Sequence, residues 1–518
     1  MVRREGGLSR RVFLEYAAGI SAIPLLGRVA GAKSVKPKFV SDPFTVGVAS
    51  GDPTAGGVVL WTRLAPRPLE GDGGMEPHNV EVAWELAEDE SMKKILRRGT
   101  ATATPQLAHS VHVEVDNLEP NRWYWYRFRC GDAETRIART RTLPTLDASP
   151  EQMRFAFASC QHYESGLYTA YEHMAKDELD LVFHLGDYIY EGAPRDDQVR
   201  KHATPKCVSL DNYRTRHAQY KTDPLLQGMH ARCPWFVTWD DHEVANDYAN
   251  DRADGEPDPA KFLIRRAHAY QAYYEMMPLR HTSLPRGPKM QLYRQAAFGR
   301  LANFLVLDGR QYRSPQPNDD KSGDVNEEML SPKQTMLGKR QLAWVEESLV
   351  RSDATWNVLA NQVMMGVADR KAGVERRFAV DTWSGYIHER NKLMEFMHDR
   401  KIANPVVLTG DIHSNWVNDL RIDDLKPESP VVAAEFVGTS ISSGGNGERG
   451  EKFEKQLMAE NLGVKFFNVE RGYVRCTLNA KEWRSEYVTV PDVSKPGGAA
   501  VLRGAFVVEA GRAGVERV

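Results

Sequence analysis

One segment constrains the fold most, because polar side chains follow an apolar run directly at this point. It is His184-Leu185-Gly186-Asp187-Tyr188-Ile189-Tyr190-Glu191. The apolar residues 179–183 before it are typical of a buried strand, and Gly186 indicates a tight turn at its end. Open α/β sheets bind their ligands at the carboxyl ends of such strands. Asp187 and Tyr190, which lie three residues apart, are therefore a candidate metal site.

The same design recurs at three further predicted strand ends: Ser159-Cys160-Gln161-His162, then Asp240-Asp241-His242-Glu243 with Asn246 beyond it, and Asp411-Ile412-His413. Each motif alone has an ordinary explanation, such as a buried thiol, a turn or a helix cap. Together in one domain, these Cys, His and Asp residues predict a metal cluster. We also expect Asp411 and His413 to point the same way, since side chains alternate along an extended segment.

The donor types indicate two kinds of cation. A thiolate, a phenolate and an imidazole suit a strongly Lewis-acidic transition metal. A phenol, with a free pKa near ~10, releases its proton only to a highly charged centre, which favours Fe³⁺ over Zn²⁺. Carboxylates alone suit a hard ion such as Ca²⁺ or Mg²⁺. The position of Asp187 would let it bridge the two ions.

The 518-residue length predicts more than one domain. Residues 43–144 combine short alternating strands with Gly and Pro turns, which predicts a small all-β sandwich of the immunoglobulin or fibronectin type. The first of these strands is predicted at Phe44–Val48. Within it, Leu118-Glu119-Pro120 followed by Tyr124 resembles a tyrosine corner. Residues 151–510 alternate apolar strands with helical stretches, which predicts a layered α/β domain.

Local patterns place several elements within that α/β domain. Helices are predicted at 168–176, 259–277 and 333–350. Residues 314–332 are polar and acidic without periodicity, which is typical of a long surface loop.

Residues 1–32 are predicted to be a twin-arginine export signal. Ser9-Arg10-Arg11-Val12-Phe13-Leu14 precedes a short apolar run, and Ala30-Gly31-Ala32 resembles a signal-peptidase site. We therefore expect the twin-arginine export machinery as a partner and a periplasmic or secreted location. An amphipathic N-terminal helix is the alternative. No later apolar run has the length that a bilayer-spanning segment needs.

Charge and cysteine content narrow the function classes. The net charge of −2 gives no argument for binding nucleic acid or an anionic membrane. Five cysteines in so long a chain do not make a disulfide framework, and their odd number leaves at least one thiol free or ligating unless two chains pair.

The motifs resemble those of the alkaline phosphatase D (PhoD-like) family in five places: Cys160, 186–191, 239–243, 307–313 and 410–413. Gly47-Val48-Ala49-Ser50-Gly51-Asp52-Pro53 resembles the N-terminal domain of that family. The Asp-x-x-Tyr element is also similar to the wider calcineurin-like and purple acid phosphatase superfamily. This resemblance implies a metallophosphoesterase-like domain with two β-sheets flanked by helices. It further implies an alkaline phosphatase, with phosphodiesterase activity expected, acting on small-molecule or polymeric phosphoesters.

The resemblance also implies the ligand sets. A ferric ion would be held by Cys160, Asp187, Tyr190 and His413. Calcium would be held by Asp187, Asp411 and the Asp240-Asp241 segment. Asp241 stands where the superfamily has an Asn ligand, so the choice among Asp240, Asp241 and Asn246 stays open.

Two further residues are expected to act on the substrate. The resemblance implies that His242 faces the substrate phosphate rather than a metal. We expect a metal-activated hydroxide to attack phosphorus while His242 stabilises or protonates the leaving group. Arg310 is a candidate phosphate partner, although an ion pair within the protein explains this guanidinium as well.

Three alternatives remain at this stage. A phospholipase-D-like phosphodiesterase of the same family would cleave phospholipids or cell-wall polymers. A non-haem iron oxygenase is opposed by the donors, which do not form a set of two histidines and one carboxylate. A surface binding protein would act through its β-sandwich and not through a metal.

Overall fold

The computed structural model describes residues 38–253, 255–256, 258–371, 373–447 and 451–518. The predicted export signal at 1–32 lies outside the described residues. The α-helices of this part of the chain are α1 (Thr169–Met174), α2 (Leu210–Lys221), α3 (Pro224–His230), α4 (Pro259–Met276), α5 (Gly338–Val350), α6 (Ile387–Asp399) and α7 (Glu451–Glu460).

The β-strands fall into an N-terminal and a C-terminal group. The first group comprises β1 (Val48–Thr54), β2 (Gly57–Arg63), β3 (Val80–Ala87), β4 (Ile95–Ala103), β5 (Ser110–Val115), β6 (Trp123–Cys130), β7 (Ala133–Glu134) and β8 (Ala138–Arg141). The second group comprises β9 (Met153–Ala158), β10 (Leu181–His184), β11 (Trp235–Val237), β12 (Arg294–Phe298), β13 (Ala302–Val306), β14 (Trp356–Ala360), β15 (Pro405–Thr409), β16 (Asn415–Arg421), β17 (Val431–Val437), β18 (Val464–Asn468), β19 (Arg471–Leu478), β20 (Glu482–Val490), β21 (Val501–Glu509) and β22 (Glu516–Arg517).

Two large sheets pack face to face and form the centre of the α/β region. One has the strand order β22-β21-β20-β19-β9-β10-β11-β1-β2-β5, and the other has the order β12-β13-β14-β15-β17-β16-β18. Their apolar inner faces meet in one core that includes Phe183, Phe304 and Leu408. The rings of Phe183 and Phe304 lie 4.8 Å apart. Among the strands that carry the predicted ligands, β9, β10 and β11 run parallel to one another, and β15 runs parallel to both of its neighbours, β14 and β17.

Helices cover the outer face of each large sheet. Tyr171 of α1, Tyr213 of α2 and Tyr273 of α4 belong to the same hydrophobic core as Val182 of β10. On the other side, residues of α5 and α6 pack against β14. The predicted layered α/β arrangement is therefore confirmed, because burying two apolar sheet faces and two helix layers requires this order.

The N-terminal strands belong to two sheets. β3, β4, β6, β7 and β8 form a third sheet, while β1, β2 and β5 extend the ten-stranded sheet. Leu60, Val82 and Tyr126 pack between these layers. β1 pairs in parallel with β11 at Gly51 and Trp235, so the sheet continues without a break across residue 144. The hydroxyl of Tyr124 donates to the Glu119 carbonyl at 3.2 Å, as the predicted tyrosine corner requires.

Two predicted element boundaries were wrong. The first strand begins at Val48 rather than Phe44, because the amide of Gly47 donates to the Phe44 carbonyl and closes a turn (2.9 Å). The helix predicted from 333 begins at Gly338, because the amides of Met336 and Leu337 donate instead to the Glu389 carboxylate at 3.1 and 3.0 Å.

Three other local predictions are confirmed. Helix α4 begins after Asp258, whose carboxylate accepts the Ala260 amide at 3.0 Å. Residues 314–332 contain only a short 3₁₀ turn, Asn318–Asp320. All five cysteines are buried and free of disulfide bonds.

Within the described ranges, no helix combines the length and apolarity that crossing a membrane requires.

Candidate metal centre

Two glycines allow the four predicted strand ends to meet. Gly186 follows β10 with φ of +114°, and a Cβ there would lie 2.5 Å from the Cβ of Asp240. Gly410 follows β15, and a Cβ there would lie 2.5 Å from the hydroxyl oxygen of Ser159. Any larger residue would push apart the loops after β9, β10, β11 and β15, so both glycines are needed for this approach.

A first group of donors joins three of these loops. Ligand atoms of Cys160, Asp187 and His413 all lie within 4.8 Å of one another, and the residues are buried or nearly so. The hydroxyl of Tyr190 lies 2.8 Å from Asp187 Oδ2 and 3.0 Å from His413 Nε2. The structure therefore brings together the four residues expected to hold the first ion.

A second group consists of carboxylates. Ligand oxygens of Asp240, Asp241 and Asp411 also lie within 4.8 Å of one another. Asp187 belongs to a third such group with Asp241 and His242, so its carboxylate lies close to donors of both groups. The side chain of Asn246 is exposed, and its amide nitrogen donates to Asp247 at 2.6 Å.

Three carboxylate oxygens of this centre lack a hydrogen-bond partner among the described residues. They are Asp187 Oδ1, Asp240 Oδ2 and Asp241 Oδ1, and all three are buried. An unpaired buried polar atom costs about 1–3 kcal/mol, and more when it is charged. Bound cations would satisfy these oxygens, so the residues present fit a metal centre.

Four of the predicted ligands have left-handed backbone conformations. Their φ angles are +57° at Cys160, +56° at Asp187, +68° at Asp411 and +52° at His413. Such angles are uncommon outside glycine and cluster at functional sites. The prediction that Asp411 and His413 are aligned by extended alternation was wrong. The backbone turns here instead of being extended, although this one segment still supplies both donor groups, as expected for two neighbouring ions.

Burial sets the protonation of the first donor group. Burial, and after it the charge of Asp187, raises the pKa of both Cys160 and Tyr190 well above their usual values. Burial, and after it the charge of Arg471, lowers the pKa of His413 to about 3. The imidazole therefore keeps a free lone pair at neutral pH, whereas the thiol and the phenol ionise only beside a cation.

The carboxylates of the centre disfavour one another's ionisation. Burial and neighbouring acidic groups raise the pKa of Asp187 and of Asp411 well above the usual range. Burial raises the pKa of Asp240 to about 6, although Arg310 opposes this shift. Burial would also raise the pKa of Asp241, but His242 and Arg310 outweigh it and lower that pKa. A cluster of this kind attracts cations strongly.

His242 stands at the partly open side of the centre. Its Nδ1 lies 2.7 Å from Glu191 Oε2, its ring lies 4.1 Å from the ring of Tyr190, and its side chain is 20% exposed. Burial disfavours its charged form, but Asp241, Glu191 and Asp187 outweigh burial and raise its pKa well above the usual value. The side chain is therefore an imidazolium whose orientation Glu191 fixes.

Of the two roles left open for Arg310, the structure shows the ion pair within the protein. Its side chain is fully buried, its Nε donates to Asp240 Oδ1 at 2.5 Å, and its two terminal nitrogens bind Asp381 at 2.7 and 2.8 Å. Because the N–H donors of the guanidinium already bind these two carboxylates, they are not available to bind a phosphate. Arg310 instead positions Asp240.

Sequence reasoning missed the residues that support the ligands. The Glu243 carboxylate accepts the amides of Asp187 (3.1 Å), Tyr188 (2.6 Å) and Asp240 (2.8 Å), which ties two ligand loops together. Ser443 Oγ lies 2.7 Å from the Tyr190 hydroxyl. Two sequence signals could have found them. Glu243 is part of the third motif, and Ser443 lies in a Ser- and Gly-rich run that follows β17.

Comparison with known proteins agrees with these motifs. A family model described as "PhoD-like phosphatase" matches residues 155–487, and one described as "PhoD-like phosphatase, N-terminal domain" matches residues 30–144. The chain is 48% identical to alkaline phosphatase D of Bacillus subtilis (strain 168) over 519 aligned residues, covering 98% of this chain and 89% of the relative. A solved structure titled "Structure of PhoD" matches with a TM-score of 0.90 and 49% identity, covering 93% of each chain.

Proposed function

The chain belongs to the PhoD-like phosphatase family and is a phosphoester hydrolase of the alkaline phosphatase type, and from this premise we propose that its activity depends on one Fe³⁺ and on Ca²⁺ in the candidate metal centre. The observation that carries this proposal is the convergence of Cys160, Asp187, Tyr190 and His413 beside a separate group of carboxylates. The oxygenase and surface-binding alternatives lose their support, since the chain is a phosphoester hydrolase.

Donor chemistry supports the choice of ions. The first group offers a thiol, a phenol, an imidazole and a carboxylate, and only a highly charged transition ion would ionise the buried Cys160 and Tyr190. The second group, Asp240, Asp241 and Asp411, offers oxygen donors alone, which suits Ca²⁺. Asp187, which lies close to donors of both groups, would help to hold both ions.

The surrounding residues would orient and stabilise the reacting phosphoester. When bound, the ions supply positive charge and lower the pKa of water from ~15.7 to about 7. His242, held by Glu191 and protonated, would donate a hydrogen bond to the developing charge or a proton to the leaving oxygen. Glu243 and Arg310 would keep Asp187 and Asp240 in place, so little reorganisation accompanies the reaction.

The proposed substrates are phosphomonoesters and phosphodiesters, either small molecules or polymers. We also propose that the α/β region is metallophosphoesterase-like, supported by two packed sheets with helices outside, and that residues 43–144 form an immunoglobulin-like pair of sheets. The twin-arginine motif at Ser9-Arg10-Arg11 supports export to the periplasm or the medium.

Elemental analysis of the purified exported protein, combined with phosphate release, tests the proposed function. We expect iron and calcium in every active preparation, and we expect a calcium chelator to abolish activity that added calcium restores. Chromogenic mono- and diesters measured side by side separate a phosphomonoesterase from a phospholipase-D-like diesterase. Full activity in protein free of both metals would refute the proposal.

A further inference from the structure

A second group of potential ligands lies beside the centre and takes no part in the proposed function. It consists of His162, Glu164 and His202, which are all buried and whose ligand atoms lie within 4.8 Å of one another. His162 belongs to the first strand-end motif, and its ring lies 4.4 Å from that of Tyr190. We propose that these three residues form a separate binding site for one divalent transition ion of the zinc class.

Two buried atoms aim into this group without a hydrogen-bond partner among the described residues. They are Glu164 Oε2 and His202 Nδ1, and both side chains have an exposed fraction of 0%. The two atoms lie 3.4 Å apart, which is too long for a good hydrogen bond. Two ligands about 2.0–2.1 Å from a zinc ion lie about 3.3–3.4 Å apart at tetrahedral angles. The spacing therefore suits a shared ion.

The remaining atoms of these side chains are already fixed. His202 Nε2 lies 3.0 Å from the Tyr220 hydroxyl, so its Nδ1 is the nitrogen that faces Glu164. Glu164 Oε1 accepts the amides of Arg195 at 3.2 Å and His202 at 2.9 Å. Metal-binding histidines characteristically have their second ring nitrogen held by another group in this way, which preorganises the ligand.

Two of the positive charges near the group have acceptors of their own. Arg200 pairs with Asp223 at 2.7 Å, and Arg216 donates to backbone carbonyls, including that of Gly192 at 3.0 Å. Burial, followed by Arg216 and His162, lowers the pKa of His202 to about 2. Its imidazole is therefore neutral, as ligation requires. Two histidines and one carboxylate are a donor set that zinc accepts, with a fourth position left for water.

Such an ion would connect two segments that line the metal centre. Glu164 follows β9, and His202 lies between β10 and α2, in a segment whose Val199 amide already donates to the Glu164 carbonyl at 3.0 Å. The bound ion would fix the ring of His162 against Tyr190. Its expected role is therefore to stiffen these two segments rather than to contact the phosphoester.

Zinc stoichiometry of the full-length holoenzyme tests the proposal. Wild-type protein, Glu164→Gln and His202→Gln are equilibrated with Zn²⁺ alone, desalted and analysed for zinc, iron and calcium. Glu164→Gln keeps an acceptor for the two amides, and His202→Gln keeps a polar group near Tyr220. We expect each variant to bind one zinc ion fewer per chain than wild type, with iron and calcium unchanged.

His230→Gln is the matched control. His230 is also buried, its Nε2 lies 2.8 Å from the Tyr188 hydroxyl, and it belongs to none of the clustered donor groups. We expect this variant to bind as much zinc as wild type. Equal zinc in wild type, Glu164→Gln and His202→Gln would overturn the proposal.

Anomalous diffraction from zinc-soaked wild-type crystals tests the site without any substitution. Data collected on both sides of the zinc absorption edge should show a peak within ligand distance of His162, Glu164 and His202. A peak confined to Cys160 and His413, or none at saturating zinc, would refute the proposal. Neither outcome depends on whether the main centre holds iron and calcium.

Discussion

Replacement of Arg310 by methionine separates a positioning role from a substrate-binding role. The substitution keeps most of the side-chain volume but leaves the buried Asp240 without its guanidinium partner and the partly exposed Asp381 with that of Arg313 alone. Breaking a buried ion pair by removing one partner costs about 3–5 kcal/mol. The Arg310 side chain is completely buried, so we expect the free energy of unfolding of metal-depleted Arg310→Met to be lower by about that amount.

Added calcium should recover part of this loss, because a cation held by Asp240, Asp241 and Asp411 replaces the missing positive charge. Urea denaturation with and without calcium measures both effects, and steady-state kinetics at saturating calcium measures function. We expect weaker calcium binding and a lower kcat, with KM unchanged.

Arg313→Met is the matched control for Arg310→Met. Arg313 also pairs with Asp381, at 2.6 Å, and its other hydrogen bonds go to the backbone carbonyls of Gly309 and Asp381 rather than to Asp240. We expect Arg313→Met to lower stability without weakening calcium binding. Full stability and full metal content of Arg310→Met, together with a raised KM, would show that Arg310 binds substrate and that the positioning argument is wrong.

Three further predictions test the centre. Asp187→Asn should lower the affinity for both metals by more than about 100-fold, measured by elemental analysis, and should abolish phosphate release. Asp116→Asn, at an exposed carboxylate, is the control. Retained metal and activity in Asp187→Asn would contradict the bridging assignment. His242→Gln should keep the metals but lower kcat by about 10²–10⁴-fold, and an unchanged kcat would refute its role. Metal-free protein should lose stability as pH rises from about 4 to about 8. Folding raises the pKa of Asp240 to about 6 and that of Glu243 to about 8, so the protonated forms of both residues favour the folded state. Thermal melts should show this loss of stability and its suppression by metals.

The local sequence determined the ingredients of the site. Apolar runs followed by Gly and polar residues predicted strands that end at Cys160, Asp187, Asp240 and Asp411, because periodicity and turn chemistry act over a few residues. The same reasoning predicted helix α4 and the tyrosine corner. Family resemblance added the grouping of these residues into two ligand sets, which the geometry supports.

Only the tertiary structure decided which distant groups meet. Arg310 contacts Asp240 and Asp381, which lie 70 and 71 residues away in sequence, so its local motif did not show which carboxylates pair with its charge. The pairing of β1 with β11 likewise depends on a long-range contact. Asp411 and His413 reach separate donor groups through left-handed angles that the packed loops stabilise and that their sequence alone disfavours. Local sequence specifies short-range conformation, whereas the burial and pairing of charges depend on the whole fold.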